Sequence, residues 1–188
     1  MKTDLRFFND YFSLIDRAVK DIDLELLIEV AKMIWRANLN GRKIILVGNG
    51  GSAAMASHLS VDLTKAAGVR AINFNEADLL TCFSNDFGYE NWVARAFEFY
   101  ADKNDLAILI SSSGKSQNII NAVTQARRME LPVITFSGFN SDNPLRELGD
   151  INFWCDSNQY NVVEMVHHIW LLSIVDYVVH CRNSWIER

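Results

Sequence analysis

The sequence predicts a doubly wound α/β fold, a parallel five-stranded sheet flanked by helices and preceded by N-terminal helices. Three observations predict it. Five short apolar runs, at 43–47, 70–74, 106–110, 132–136 and 151–154, are rich in β-branched residues. They lack the polar alternation of a strand with one wet face, so both faces are expected to be buried. Segments of helical periodicity separate the runs, the alternation that builds parallel sheets. Two runs end abruptly in small residues, "GNGGS" and "SSSGKS", at strand-to-helix junctions where open parallel sheets bind ligands.

Residues 4–39 carry two helical stripes. Leu5, Phe8, Tyr11, Phe12, Leu14 and Ile15 form the first; Leu24, Leu27, Ile28, Val30, Ala31, Ile34 and Trp35 form the second, which ends at the turn-like "NLNG". Aromatic density at 7–12 and at Trp35 marks 1–40 as helices that pack on another subunit. From residue 41 the period changes. "KIILV", "RAINF", "LAILI", "PVITF" and "INFW" are the strands. Helices are expected at 52–66, 90–101, 116–129 and, as a long last one, 160–181. Pro132 and Pro144, the only prolines, stand where a strand or turn begins. No linker, repeat or low-complexity stretch interrupts the pattern. The chain is therefore expected to be one domain over 1–188, with an α/β sandwich at 41–188.

A length of 188 residues allows a sizeable core, and 49% hydrophobic with 22% charged residues is ordinary for a globular protein. The net charge is −5 and no basic run occurs, which argues against nucleic-acid binding. No apolar run is read as approaching the roughly 18–20 residues that span a bilayer, so no membrane partner is expected. The opening "MKTDLRFFNDYF" lacks the apolar core of a secretion signal, and a cytoplasmic location is expected. Cys82, Cys155 and Cys181 are odd in number and far apart, reduced thiols rather than a disulfide framework or zinc site. Cys82 is expected in the core.

The two junctions carry the chemistry. In "LVGNGGSAAMASH", Gly48, Gly50 and Gly51 permit a tight turn and close backbone approach. Ser52 stands at the helix start, where free N–H groups and the dipole favour an anion. In the second junction, Ser111, Ser112, Ser113 and Ser116 surround Gly114. Hydroxyls with unpaired N–H groups make a nest for phosphate oxygens. Ser116 alone would be an ordinary helix cap, but one cap does not need four serines. The first junction also fits the loose dinucleotide pattern G-x-G-x-x-[GA], with Glu76 as the ribose acid. That reading leaves the serines unexplained and puts about forty helical residues before the first strand. No Walker pattern is present, and no nucleotide cofactor is expected.

Taken together, "GNGGSAAMASH", "SNDFGYE" and "SSSGKS" resemble the sugar isomerase (SIS) domain family. In type, order and spacing they resemble its phosphoheptose isomerase branch. That branch converts sedoheptulose 7-phosphate to D-glycero-D-manno-heptose 7-phosphate. The resemblance covers nearly the whole chain and implies the SIS fold. It implies that Asn49, Gly50, Gly51 and Ser52, with Ser111, Ser112, Ser113 and Ser116, contact a phosphorylated sugar. Asn85 and Asp86 would meet the sugar hydroxyls. It further implies a homotetramer whose sites neighbouring subunits complete, serving lipopolysaccharide, capsule or another glycoconjugate.

The departures bear on catalysis. The family carries H-x-x-x-E on the helix after GNGGS, with Glu as base; this chain has His58 and Asp62. The family's last helix carries a Gln and, eight residues later, a catalytic His, both able to ligate zinc. Aligned on "EMVH", those positions are Glu164 and Leu172. His168 lies one turn before Leu172 on about the face of Glu164, and His167 points roughly 100° away. The resemblance thus implies Asp62 as base, His168 as the substitute for the missing histidine, and Glu164 as a substrate contact. His58, Asp62, Glu164 and His168 would be the set able to hold Zn2+.

An aldose–ketose isomerase needs a base, an acid and stabilisation of an enediol oxyanion. Plainer roles exist for the same residues. A His/Asp i, i+4 pair often serves only the surface, and His168 beside Trp170 fits an interface histidine. Met165 and Trp170 read as packing. His180 and the tail "RNSWIER" carry no readable signal. Two functional classes follow: a phosphosugar isomerase, or a non-catalytic SIS module that binds a phosphosugar or a protein.

Overall fold

In the computed structural model, which describes residues 2–186, the five apolar runs are strands β1 (Ile44–Val47), β2 (Ala71–Asn73), β3 (Leu106–Ser111), β4 (Val133–Gly138) and β5 (Ile151–Cys155). All pair in parallel, in the order β2-β1-β3-β4-β5. The chain steps from β1 out to β2, then returns to lay β3 on the other side of β1. The direction of winding therefore reverses between β1 and β3, a switch point where ligands bind beyond the strand ends. The glycine junction follows β1 and the serine junction follows β3, so the topology sets the two motifs side by side.

Strand side chains alternate between two cores because successive residues point to opposite faces. Ile44, Leu46, Ile108 and Ile110 pack with helices α2 (Leu24–Leu39), α3 (Gly51–Asp62) and α7 (Tyr160–Ile186). Ile45, Val47, Ala107 and Leu109 pack with α5 (Trp92–Tyr100) and α6 (Gln117–Arg128). Burial on both faces explains why the runs showed no polar alternation. Buried Lys43 and Asp105 stitch the starts of β1 and β3. Asp105 Oδ1 accepts the Lys43 N–H at 2.9 Å, and Lys43 Nζ pairs with Asp105 at 2.5 Å and with Asp102 at 2.8 Å.

The first helix, α1 (Lys2–Lys20), packs Tyr11, Leu14 and Ile15 on the core and leaves Leu5, Phe7, Phe8 and Phe12 more than half exposed. Asp23 caps α2 by accepting the Glu25 N–H at 2.9 Å. A π-helical turn, Leu63–Ala67, continues α3 and stops at Gly68 with φ +72°.

Two expectations need correction. The helix α4 (Ala77–Phe87) was not anticipated; none of its residues is fully buried, and its apolar side, Leu79, Leu80 and Phe83, packs only partly on the second core. Cys82 lies on it and is exposed, not in the core. Further, α7 is by length and composition apolar enough to cross a membrane, contrary to the sequence reading. Half of that segment is buried inside the protein, where Val162, Val166, Trp170 and Ile174 join the core, and that burial accounts for its composition.

His167 on α7 is fully buried. Its Nε2–H donates to the Ser137 carbonyl at 2.9 Å, and among the described residues Nδ1 has no partner. Burial pushes the imidazole down to about 4, against the smaller opposing effect of the Ser137 bond. Above pH 6.5 both native and unfolded chains hold it neutral, and its stability contribution is complete. Between pH 6.5 and about 4 only the unfolded chain takes the proton, so stability falls by on the order of 3 kcal/mol. The unfolding free energy of the native protein should thus fall more steeply with decreasing pH over that window than that of His167→Gln. Parallel pH profiles would contradict the assignment.

Candidate functional site

The glycine junction is tight for three different reasons. A Cβ at Gly48 would fall 2.6 Å from the Ser52 Cβ. Gly50 adopts φ +54°, which side chains disfavour. A Cβ at Gly51 would land on the Glu164 carboxylate, so that carboxylate lies directly against the first residue of α3. An acidic group at a helix N-terminus is favourably placed. Glu164 thereby takes up the positive end of α3.

The serine junction is built differently. Ser116 is the cap residue of α6, yet its side chain makes no capping bond; Ser111 Oγ donates to Ser116 Oγ at 2.9 Å instead. The serine is therefore not spent as an N-cap, and the first turn of α6 keeps N–H groups free for a ligand. Gly114 adopts φ +66°, and any Cβ there would overlap the Asn143 side chain. Asn143, almost fully buried, gives its amide hydrogens to Ser137 Oγ, Gly138 O and Asn140 O.

The two junctions are joined directly. Asn49 and Asn118 exchange reciprocal amide bonds of 2.9 Å. Ser52 Oγ and Ser112 Oγ lie 3.3 Å apart, and Ser112 Oγ donates to Glu164 Oε1 at 3.5 Å. Between them opens a cavity of about 270 Å³ lined by Asn49, Gly50, Gly51, Ser52, Ser111, Ser112, Ser113, Ser116, Tyr160 and Glu164. Nine of these ten were singled out from sequence. Tyr160 was missed, although it lies one helical turn before Glu164 and shares its face. Its ring meets Phe139 at 4.7 Å. Phe139 holds φ +59°, a conformation costing about 1–2 kcal/mol for a residue with a side chain.

Asn85 and Asp86 lie outside this cavity. Asn85 donates to its neighbour Asp86 at 2.9 Å, both exposed on α4. Asp86 lines a different hollow with Arg95 and Arg128. From the same stretch Tyr89 reaches the site instead, its hydroxyl 3.1 Å from Asn49 Oδ1. Glu76, the acid of the dinucleotide reading, is exposed and does not line the cavity.

The expected four-residue cluster divides. Along the seam of α3 and α7, Gly51 faces Glu164 and His58 faces His168. Seven residues of helix put His58 about 10 Å beyond Gly51, and eleven put Asp62 about 16 Å beyond it. Asp62 Oδ2 is 3.2 Å from His58 Nε2, and His58 Nδ1 is 2.9 Å from His168 Nε2. With the His58 Nε2–H given to Asp62, the remaining bond must run from His168 Nε2–H to His58 Nδ1. Burial, then the nearby His58 charge, holds His168 below the ordinary imidazole range, with Asp62 opposing. The result is a partly exposed Asp–His–His relay that continues along the seam from the cavity. Leu172 packs against the core.

A zinc ion would need ligand atoms about 2.0–2.2 Å from one point. Here Glu164 is turned to Ser112, and Asp62 holds the far ring nitrogen of His58. Among the described residues no group of three or more His, Cys, Asp and Glu is arranged to hold a metal. The four expected ligands do not fit one ion within this chain.

A sheet with a cavity at its switch point, walled by serines and set over helix N-termini, defines an α/β domain suited to an anionic ligand. The family model described as "SIS domain" matches residues 6–138, and the chain belongs to that family, on its phosphoheptose isomerase branch. The phosphoheptose isomerase of Aliarcobacter butzleri is 37% identical over 161 residues, 81% of this chain and 85% of that protein. That of Glaesserella parasuis is 33% identical over 161 residues, 80% and 83% of the two chains. A solved phosphoheptose isomerase from Francisella tularensis superposes with a TM-score of 0.85 at 24% identity, covering 94% of this chain and 97% of that one. The matched region ends at Gly138, so Tyr160, Glu164 and His168 come from beyond it.

Proposed function

We propose that this chain is an aldose–ketose isomerase that converts sedoheptulose 7-phosphate to D-glycero-D-manno-heptose 7-phosphate through an enediol. The carrying observation is the single cavity formed by both junctions, with Glu164 at one helix N-terminus and the other left open for phosphate. The similarity to named phosphoheptose isomerases supports the same reading. The phosphate rests on Ser111, Ser113, Ser116 and the first turn of α6, where dipole and hydroxyls favour an anion. Asp62, His58 and His168 carry the proton between C1 and C2. Asp62 acts as base, directly or through His58, and neutral His168 serves as the partner acid and base.

Asp62 lies about 16 Å along α3 from Gly51 at the cavity wall, out of reach of its own site, and the His58 and Asp62 side chains are 48% and 36% accessible. This supports an assembly, expected to be a tetramer, in which one subunit's relay completes a neighbour's cavity. The exposed Leu5, Phe7, Phe8 and Phe12 of α1 supply an apolar contact face. Light scattering should find an oligomer; a monomer in dilute solution would contradict it. A cytoplasmic enzyme feeding lipopolysaccharide, capsule or another glycoconjugate fits this activity. The deciding assay is incubation with sedoheptulose 7-phosphate, following aldose formation, with and without zinc. The zinc arm is warranted because His58 and His168 present facing nitrogens to which a neighbouring subunit would have to add ligands. A catalytically silent binding module rests on Asp62 and Leu172 alone, and would leave the ketose unchanged.

A further inference from the structure

We infer that Tyr160, held in place by Phe139, is the residue of this chain that grips the carbon chain of the sugar beside its phosphate. The inference rests on the phosphosugar reading and adds the means by which the site tells a phosphosugar from phosphate alone.

Every other lining residue of the cavity is a glycine, a serine, an asparagine or Glu164. Such walls bond oxygens but offer no apolar face to the C–H groups of a sugar. Tyr160 is the only ring among them. It is 58% exposed, and among the described residues no hydrogen bond to its hydroxyl holds it to the protein, so its face is available to a ligand. An amphipathic ring, apolar in body and polar at its tip, suits a polyol chain.

The ring is also fixed from behind. Gly138 brings the end of β4 so close that a Cβ there would fall 2.7 Å from Val163 of α7 and 3.1 Å from the Ser112 carbonyl. The next residue, Phe139, turns left-handed, donates its N–H to Ser157 O at 2.9 Å and sets its ring on Tyr160. Strained backbone at a functional site persists where its surroundings over-determine it. Here the corner locks three elements together: the serine junction, the end of β4 and the start of α7. Phe139 does not line the cavity, and it acts as a positioning residue through Tyr160.

The test compares binding of sedoheptulose 7-phosphate and of inorganic phosphate by calorimetry in the native protein, Tyr160→Ala, Tyr160→Phe and Phe139→Leu. Phosphate alone needs only the serine junction and reports its integrity. Tyr160→Ala should weaken the phosphosugar about tenfold, the scale of losing one buried apolar face, and change phosphate affinity less than about twofold. Tyr160→Phe, which keeps the ring, should stay within about threefold of native, and Phe139→Leu should move in the direction of Tyr160→Ala. Equal phosphosugar affinity in Tyr160→Ala and the native protein would overturn the role of Tyr160, as would parallel losses for both ligands. A native protein that binds the phosphosugar no better than phosphate would overturn the phosphosugar reading as well.

Discussion

Asp62→Asn should lower turnover of sedoheptulose 7-phosphate by about 10²–10⁴-fold, the range a positioned acid or base supplies, while phosphosugar affinity stays close to native. The amide keeps the size of the carboxylate and removes its charge and its basicity. Asp62 holds the Nε2 edge of His58, and His58 in turn accepts from His168. The loss is therefore expected whether Asp62 takes the proton itself or fixes the tautomer of the relay. Binding is spared because the phosphate rests on the serine junction, whose lining does not include Asp62. Single-turnover kinetics beside equilibrium binding separate the two quantities. Full activity in the variant would show that another residue takes the proton.

The second large effect belongs to the serine junction. Ser111→Ala with Ser113→Ala should weaken phosphosugar binding by about 10²–10⁴-fold, since each hydroxyl bonded to a charged oxygen contributes about 1.5–3 kcal/mol. Ser111 gives its one hydrogen to Ser116 Oγ, which draws Ser116 away from capping and leaves the Ser116 hydrogen for the anion. Without Ser111, Ser116 is free to turn back to the helix as an ordinary cap, and the anion loses a second partner. Thermal unfolding checks that the fold survives, and unchanged phosphosugar affinity would refute the phosphate cradle.

The strands were legible because a chain segment buried on both faces must be apolar throughout, as "KIILV" and "LAILI" are. The helix α4 was not, because its short apolar side, Leu79, Leu80 and Phe83, is only partly buried. The cavity was nearly all legible, since glycines and serines after strands are a local signal. Asn143 and Phe139 were invisible for the opposite reason. Their positions matter only through β4 and α7 reaching the serine junction, a contact that no local spacing encodes. The pairs His58/Asp62 and Glu164/His168 were correctly read as sharing helix faces. Within one chain the four do not meet at one point, because the seam of α3 and α7 pairs Gly51 with Glu164 and only further on His58 with His168.

The most direct measurement of the central claim is incubation of the protein with sedoheptulose 7-phosphate in D2O, followed by NMR of the product. An enediol pathway takes the proton from C1 and returns one to C2, and the exposed relay exchanges its own protons with solvent. The account predicts D-glycero-D-manno-heptose 7-phosphate bearing deuterium at C2, formed by the native protein and nearly absent with Asp62→Asn. Ketose recovered unchanged and without deuterium, from a protein that binds it tightly, would contradict the isomerase.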